Sequence, residues 1–95
     1  MNIPCRCGAK PLFDLGEIAM HMEAEELLKA EGIQPIQLLW IHVSGQWGRW
    51  DASTNKEALR TGEAVISIFP IREEREVIVA TNRERTTTMI DLRRR

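Results

Sequence analysis

Beyond Gly62 the sequence changes its period from helical to twofold, and that change restricts the fold more than any other feature of the chain. In AVISIFP (64–70) Ala64, Ile66 and Ile68 alternate with Val65, Ser67 and Phe69, and in TTTMIDL (86–92) Thr88, Ile90 and Leu92 alternate with Thr87, Met89 and Asp91. Between them EVIVAT (76–81) is apolar on both faces. The connections IREER and NRER are short and charged. A parallel crossover needs roughly a dozen residues or more, so the three strands are expected to join as antiparallel hairpins with EVIVAT in the centre.

Upstream the signals are mixed. Leu12, Phe13, Leu15, Ile18 and Met20 suggest a strand over 12–20, with Gly16 marking a bulge or a close backbone approach. MEAEELLKAEG (22–32) places Ala24, Leu27, Leu28 and Glu31 at helical spacing, with acids in the first turn and Gly32 as the stop. Pro35 fits a first helical position, and Ile36, Leu39, Trp40 and Val43 repeat at i, i+3, i+4 and i+7. Leu38 and Ile41 widen that stripe, so this helix should be the most buried element, with Trp40 in the core. Thr54 and Glu57 have capping-box spacing and Gly62 ends a third, short helix over 55–61. The expected fold is α+β, β-α-α-α-β-β-β, with a four-stranded, mainly antiparallel sheet and the helices packed on one face. Residues 1–11 read as an irregular arm, 12–92 as one domain and 93–95 as a basic tail.

At 95 residues, 43% hydrophobic and 28% charged, the chain has room for one modest core. No apolar run approaches the roughly 20 residues of a spanning helix, and no secretory leader is visible, so a cytoplasmic location is expected and no membrane partner. Residues 1–70 carry six basic and nine acidic side chains, and 71–95 carry seven and five. That balance gives neither the basic face of a nucleic-acid binder nor the dense acidity of a DNA mimic. Cys5 and Cys7 in CRC read as free thiols, and with only His21 and His42 as further candidates no zinc spacing is present. No cofactor and no metal is expected.

Catalytic motifs are missing as well. His42 could be paired with Ser44 on paper, but a histidine at a helix C-terminus more often bonds the last carbonyls. With no recognised nucleophile, phosphate or metal motif, a non-enzymatic protein is expected. Attention therefore falls on HVSGQWGRW (42–50), which holds two of the chain's five aromatic residues. Tryptophan and arginine are enriched at binding hot spots, and a glycine-framed loop presents them without ordering long segments. Trp50, Arg49, Gln46 and Trp47 are candidate partner-binding residues, with Trp47 expected first to cover the helix end and close the core. Arg83 and Arg85 on the last hairpin form a second candidate surface, or a charged guard on a sheet edge.

The set His42, Gly45, Trp47, Gly48, Asn55, Gly62, Ser67, Thr81, Arg85 and Thr86 to Thr88 resembles a family of small proteins encoded on bacterial plasmids, integrated elements and phages. In that family the loop reads H-x-S-G-D-W-G-D and the last hairpin T-E-A-D-R-S-x-T-T. The likeness covers 12–92. This chain departs from it at Gln46, Arg49 and Glu84, where the family has aspartate, and Trp50 matches no family tryptophan. Such proteins are described only loosely, as plasmid-related or restriction-subunit proteins, so the resemblance implies an origin on a mobile element more than an activity. The expectation is a non-enzymatic protein that binds a protein partner, such as a host defence nuclease of the CRISPR or restriction type. The alternative is an accessory protein that binds nucleic acid through the Arg-rich hairpin and Arg93 to Arg95. A homodimer through an exposed sheet edge is compatible with either.

Overall fold

Local chemistry sets the helix ends. In the computed structural model, which describes residues 12–48 and 52–94, helix α1 (Met22–Ala30) opens where His21 Nδ1 accepts the Glu23 N–H at 3.2 Å. Glu23 and Glu25 lie at its positive end and Lys29 at its negative end. Helix α2 (Pro35–Val43) starts with Pro35, behind a Gln34 backbone N–H that donates to Gln37 Oε1 at 2.8 Å. Helix α3 spans Ala52–Thr61, three residues earlier than the Thr54/Glu57 spacing predicts. The run ASTN is rich in residues that can stand at a helix start, so spacing alone does not choose among them. Tertiary contact does, because Asn55 sits within the helix and reaches across to the sheet.

Strands β1 (Glu17–Met20), β2 (Val65–Arg72), β3 (Arg75–Thr81) and β4 (Thr87–Arg94) form one sheet in the order β1-β4-β3-β2. The hairpins β2/β3 and β3/β4 are antiparallel, in register from Val65↔Thr81 and Thr81↔Thr88 respectively, which leaves β3 inside the sheet. β1 lies parallel to β4, Glu17 opposite Thr87 and Met20 opposite Ile90, so the sheet is mixed. The three helices carry the chain between β1 and β2, which supplies the long connection that non-sequential, parallel placement requires.

The helices cover one face. Ala24, Leu27 and Leu28 of α1 and Leu38, Leu39 and Val43 of α2 pack with Leu15, Phe69, Val77, Val79 and Ile90. A second cluster joins Trp47, Ala58 and Val65, and Phe13 packs against both. Helix α2 has the most buried residues of the three helices, four in all. Trp40, expected inside, is half-buried at the margin of the first cluster.

Two boundaries also differ from expectation. Residues 12–16 are not strand: the Leu12 N–H donates to the Val43 carbonyl at the end of α2, and Gly16, at φ 68°, passes so close to the Thr86 backbone that a Cβ would collide with it. The extended run therefore begins only at Glu17. At the other end β4 continues through Arg94, because Arg93 and Arg94 lie opposite Glu76 and Arg75, so two of the three residues read as a tail are paired.

The edge strand β2 is closed along its outward side. Ile66 is met by the Asn55 amide, which accepts the Ile66 N–H at 3.1 Å and donates to the Ile66 carbonyl at 2.5 Å. The Ile68 N–H donates to the Trp47 carbonyl at 3.1 Å, and Pro70 has no N–H. Gly48, at φ 64°, makes the approach possible, since a Cβ there would fall into the Ile68 carbonyl. Such coverage protects an edge against stray pairing.

Candidate functional site

His42 does not bond the last carbonyls of α2 as a C-terminal histidine would. Its ring points into the sheet and is fully buried, with Nδ1 2.5 Å from Ser67 Oγ and Nε2 3.0 Å from Thr81 Oγ1. The chain continues, as Thr81 Oγ1 lies 2.7 Å from Thr88 Oγ1, and the Thr88 hydroxyl donates to the Leu15 carbonyl at 2.8 Å. Each hydroxyl has one proton, which fixes the directions. Thr88 spends its proton on Leu15, so Thr81 donates to Thr88 and must accept from His42 Nε2–H. Nδ1 is then the acceptor for the Ser67 hydroxyl. The ring is neutral, consistent with a pKa held down to about 3, first by burial and second by the positive charge of Arg85.

Serine beside imidazole has the composition of a nucleophile and its base. Here both groups are sealed from solvent and the second ring nitrogen is engaged by Thr81, so the pair fastens α2 to β2, β3 and, through Leu15, to the segment before β1. Ser44, the other serine near this ring, turns away and donates to the Ile41 carbonyl at 3.0 Å.

Trp47 is 5% exposed, and its indole N–H donates to the His42 carbonyl at 3.0 Å. The ring that could have been a contact surface thus caps α2 and fills the second core cluster. Gln46 is exposed beside it. Arg49 and Trp50 lie outside the described residues, as do Cys5 and Cys7.

Arg83 and Arg85 both turn towards the end of α3. Arg83 pairs with the Glu63 carboxylate at 3.5 Å, while Arg85 Nη1 donates to the Glu63 and Asn82 carbonyls at 2.7 and 2.9 Å and its guanidinium lies 5.6 Å from the centre of the Phe13 ring. Phe13 in turn meets His42 edge-on at 5.1 Å. Arg85 adopts φ 58°, held by a turn in which Asn82 Oδ1 accepts from the Thr86 and Thr87 N–H groups. Arg85 is therefore a clasp over Phe13. Glu63, from a distant element, thus meets both arginines, Arg83 through its carboxylate and Arg85 through its backbone carbonyl.

The face of the sheet away from the helices is the remaining candidate surface. Register aligns Ala19, Met89, Ala80 and Ile66 in one row across all four strands, followed by Asp91, Ile78 and Ile68 in the next. Ile66, Ile78, Ala80 and Ala19 are half-buried, Ile68 is buried and Met89 is 43% exposed. A one-sided antiparallel sheet ordinarily presents polar residues on its outer face. Here Ile66, Ile68 and Pro70 of β2 and Ile78 and Ala80 of β3 make the outer face apolar, and its polar groups are Glu76, buried on β3, and Glu17, Thr87, Asp91 and Arg93 on β1 and β4.

The polar chain was legible in part. Twofold alternation puts Ser67, Thr81 and Thr88 inward among apolar neighbours, and inward hydroxyls ask for a buried partner. What linear reading could not supply was that partner, since His42 lies 25 residues from Ser67 and 39 from Thr81. Asn55 gave no comparable signal.

Among the described residues no helix is long and apolar enough to cross a membrane, and no cluster of three or more His, Cys, Asp or Glu side chains stands ready for a metal. No protein-family model, curated protein or solved structure matches this chain.

Proposed function

We propose that this chain is a small, non-enzymatic protein that acts by binding a protein partner, and that it does so for a mobile genetic element by obstructing a host defence nuclease. The observation that carries the binding part is the apolar outer row, Ala19, Met89, Ala80 and Ile66, on a sheet face that no described helix covers. Contiguous apolar surface with a polar rim is how a monomer presents an interface. Gly48, the last described residue of the candidate loop, bridges to Ile68 at the edge of β2. The defence target follows from the resemblance to plasmid- and phage-borne proteins and from no residue-level contact.

Nucleic-acid binding has less support. Arg83 and Arg85 are already engaged by Glu63, and phosphate would have to displace those contacts. The discriminating experiment is capture of partners by the tagged protein from a bacterial lysate, with and without nuclease treatment, alongside Trp50→Ala and Met89→Lys. A nuclease-resistant defence subunit lost in either variant, together with rescue of a restricted plasmid on co-expression, is the expected result. Recovery of only nuclease-sensitive material, unaffected by both substitutions, would move the assignment to nucleic acid.

A further inference from the structure

The two edges of the sheet are unlike. Every outward position of β2 from Ile66 to Pro70 is paired or lacks a donor, whereas β1 has no such cover among the described residues. Its Glu17 and His21 N–H groups donate to the Thr86 and Ile90 carbonyls of the β4 side at 2.8 Å, so in a parallel ladder Glu17, Ala19 and His21 turn their backbone groups inward. Ile18 and Met20 accordingly turn theirs outward. His21 keeps extended geometry, at φ −70° and ψ 141°, so extended backbone runs over the five residues from Glu17 to His21.

We propose that the chain forms a two-fold dimer in which β1 pairs antiparallel with β1 of a second copy, with Ala19 on the axis. This stands apart from the functional reading above. With Ala19 opposite the partner's Ala19, Ile18 faces the partner's Met20. Both residues have outward backbone groups, so each of the two symmetry-related Ile18/Met20 pairs exchanges N–H···O bonds in both directions. Any register shifted by one residue would bring inward-turned groups to the seam.

Side chains fit the same register. Glu17 comes opposite the partner's His21, whose Nδ1 already accepts from Glu23 N–H, leaving Nε2 to donate to the carboxylate. Alanine at the axis gives the closest cross-strand pair a small residue on each side. Met22, at 69% the most exposed large apolar side chain among the described residues, lies just beyond the paired segment, against the partner's Gly16 end. The joined sheet has eight strands, and the apolar row Ile66, Ala80, Met89, Ala19 continues through the axis into its symmetry copy.

The test uses the full chain and three measurements. Sedimentation equilibrium of the unaltered protein is expected to show a dimer in equilibrium with monomer. Ala19→Lys and Ala19→Glu each place like charges directly opposite across the axis on the solvent face, and each is expected to weaken dimerisation about fivefold or more. An equimolar mixture of the two variants restores association as a heterodimer, because the introduced ammonium then faces the introduced carboxylate. Amide exchange of the unaltered protein adds an independent reading that needs no variant: Ile18 and Met20 N–H groups become protected as concentration rises. A monomer at every concentration, a dimer indifferent to both substitutions, a mixture that fails to associate, or Ile18 and Met20 amides that exchange freely in the dimer would each overturn the proposal.

Discussion

His42 of α2 and Ser67 of β2 meet at 2.5 Å with neither side chain exposed to solvent, and this contact ties the helical layer to the sheet. Its neighbours Thr81 and Thr88 extend the tie to β3, β4 and the Leu15 carbonyl. Thr81, Thr88, Asn55, Trp47, Gly48 and Arg85 likewise perform internal tasks, holding strands, helix ends and the edge of β2.

A neutral, buried His42 makes the protein acid-sensitive in a defined window. Its folded pKa of about 3 lies below the unfolded value near 6.5, so the unfolded state takes up a proton that the folded state refuses. The contribution is whole above about pH 6.5 and is lost as pH falls towards 3, at about 1.4 kcal/mol per pH unit. Denaturant melts across that range should show this slope, and His42→Gln should flatten it relative to the unaltered chain.

Arg85 acts on the same ring from the surface. Arg85→Gln is expected to raise the His42 pKa, by removing the second of the two causes that depress it, and to cost about 1–2 kcal/mol through the lost Glu63 and Asn82 contacts at a partly exposed site. NMR titration of the His42 ring resonances, with a melt at neutral pH, reads both.

Asn55 stands in for a neighbouring strand by serving both backbone groups of Ile66. Asn55→Asp keeps an acceptor for the Ile66 N–H but sets a carboxylate against the Ile66 carbonyl, so it should destabilise at least as much as Asn55→Ala, by about 2 kcal/mol or more. Both variants uncover the β2 edge and should aggregate faster on heating, measured by light scattering.

Gly48→Ala combines a left-handed backbone with a Cβ aimed into the Ile68 carbonyl. A loss of roughly 2–4 kcal/mol is expected, together with faster exchange of the Ile68 amide as the Trp47 carbonyl withdraws. Gly62→Ala, also at positive φ but with open space around it, should cost only about 1 kcal/mol.

Much of the architecture was readable along the chain. The period of two after Gly62, with connections too short for crossovers, determined three antiparallel strands with EVIVAT inside, and the apolar spacing and start and stop residues of α1 and α2 determined two helices, because these signals depend on residues a few positions apart. Only the tertiary structure decided that β1 lies parallel to β4, that α3 starts at Ala52, that Glu63 meets Arg83 and Arg85, and that His42 lies among hydroxyls instead of on helix carbonyls. In each of these the partner is distant in sequence, and burial removes water as a competitor for polar groups. A histidine at the end of a helix can bond its own carbonyls in solvent; between Ser67 and Thr81 it has no solvent to turn to, and the hydroxyls on both sides dictate its tautomer and its place.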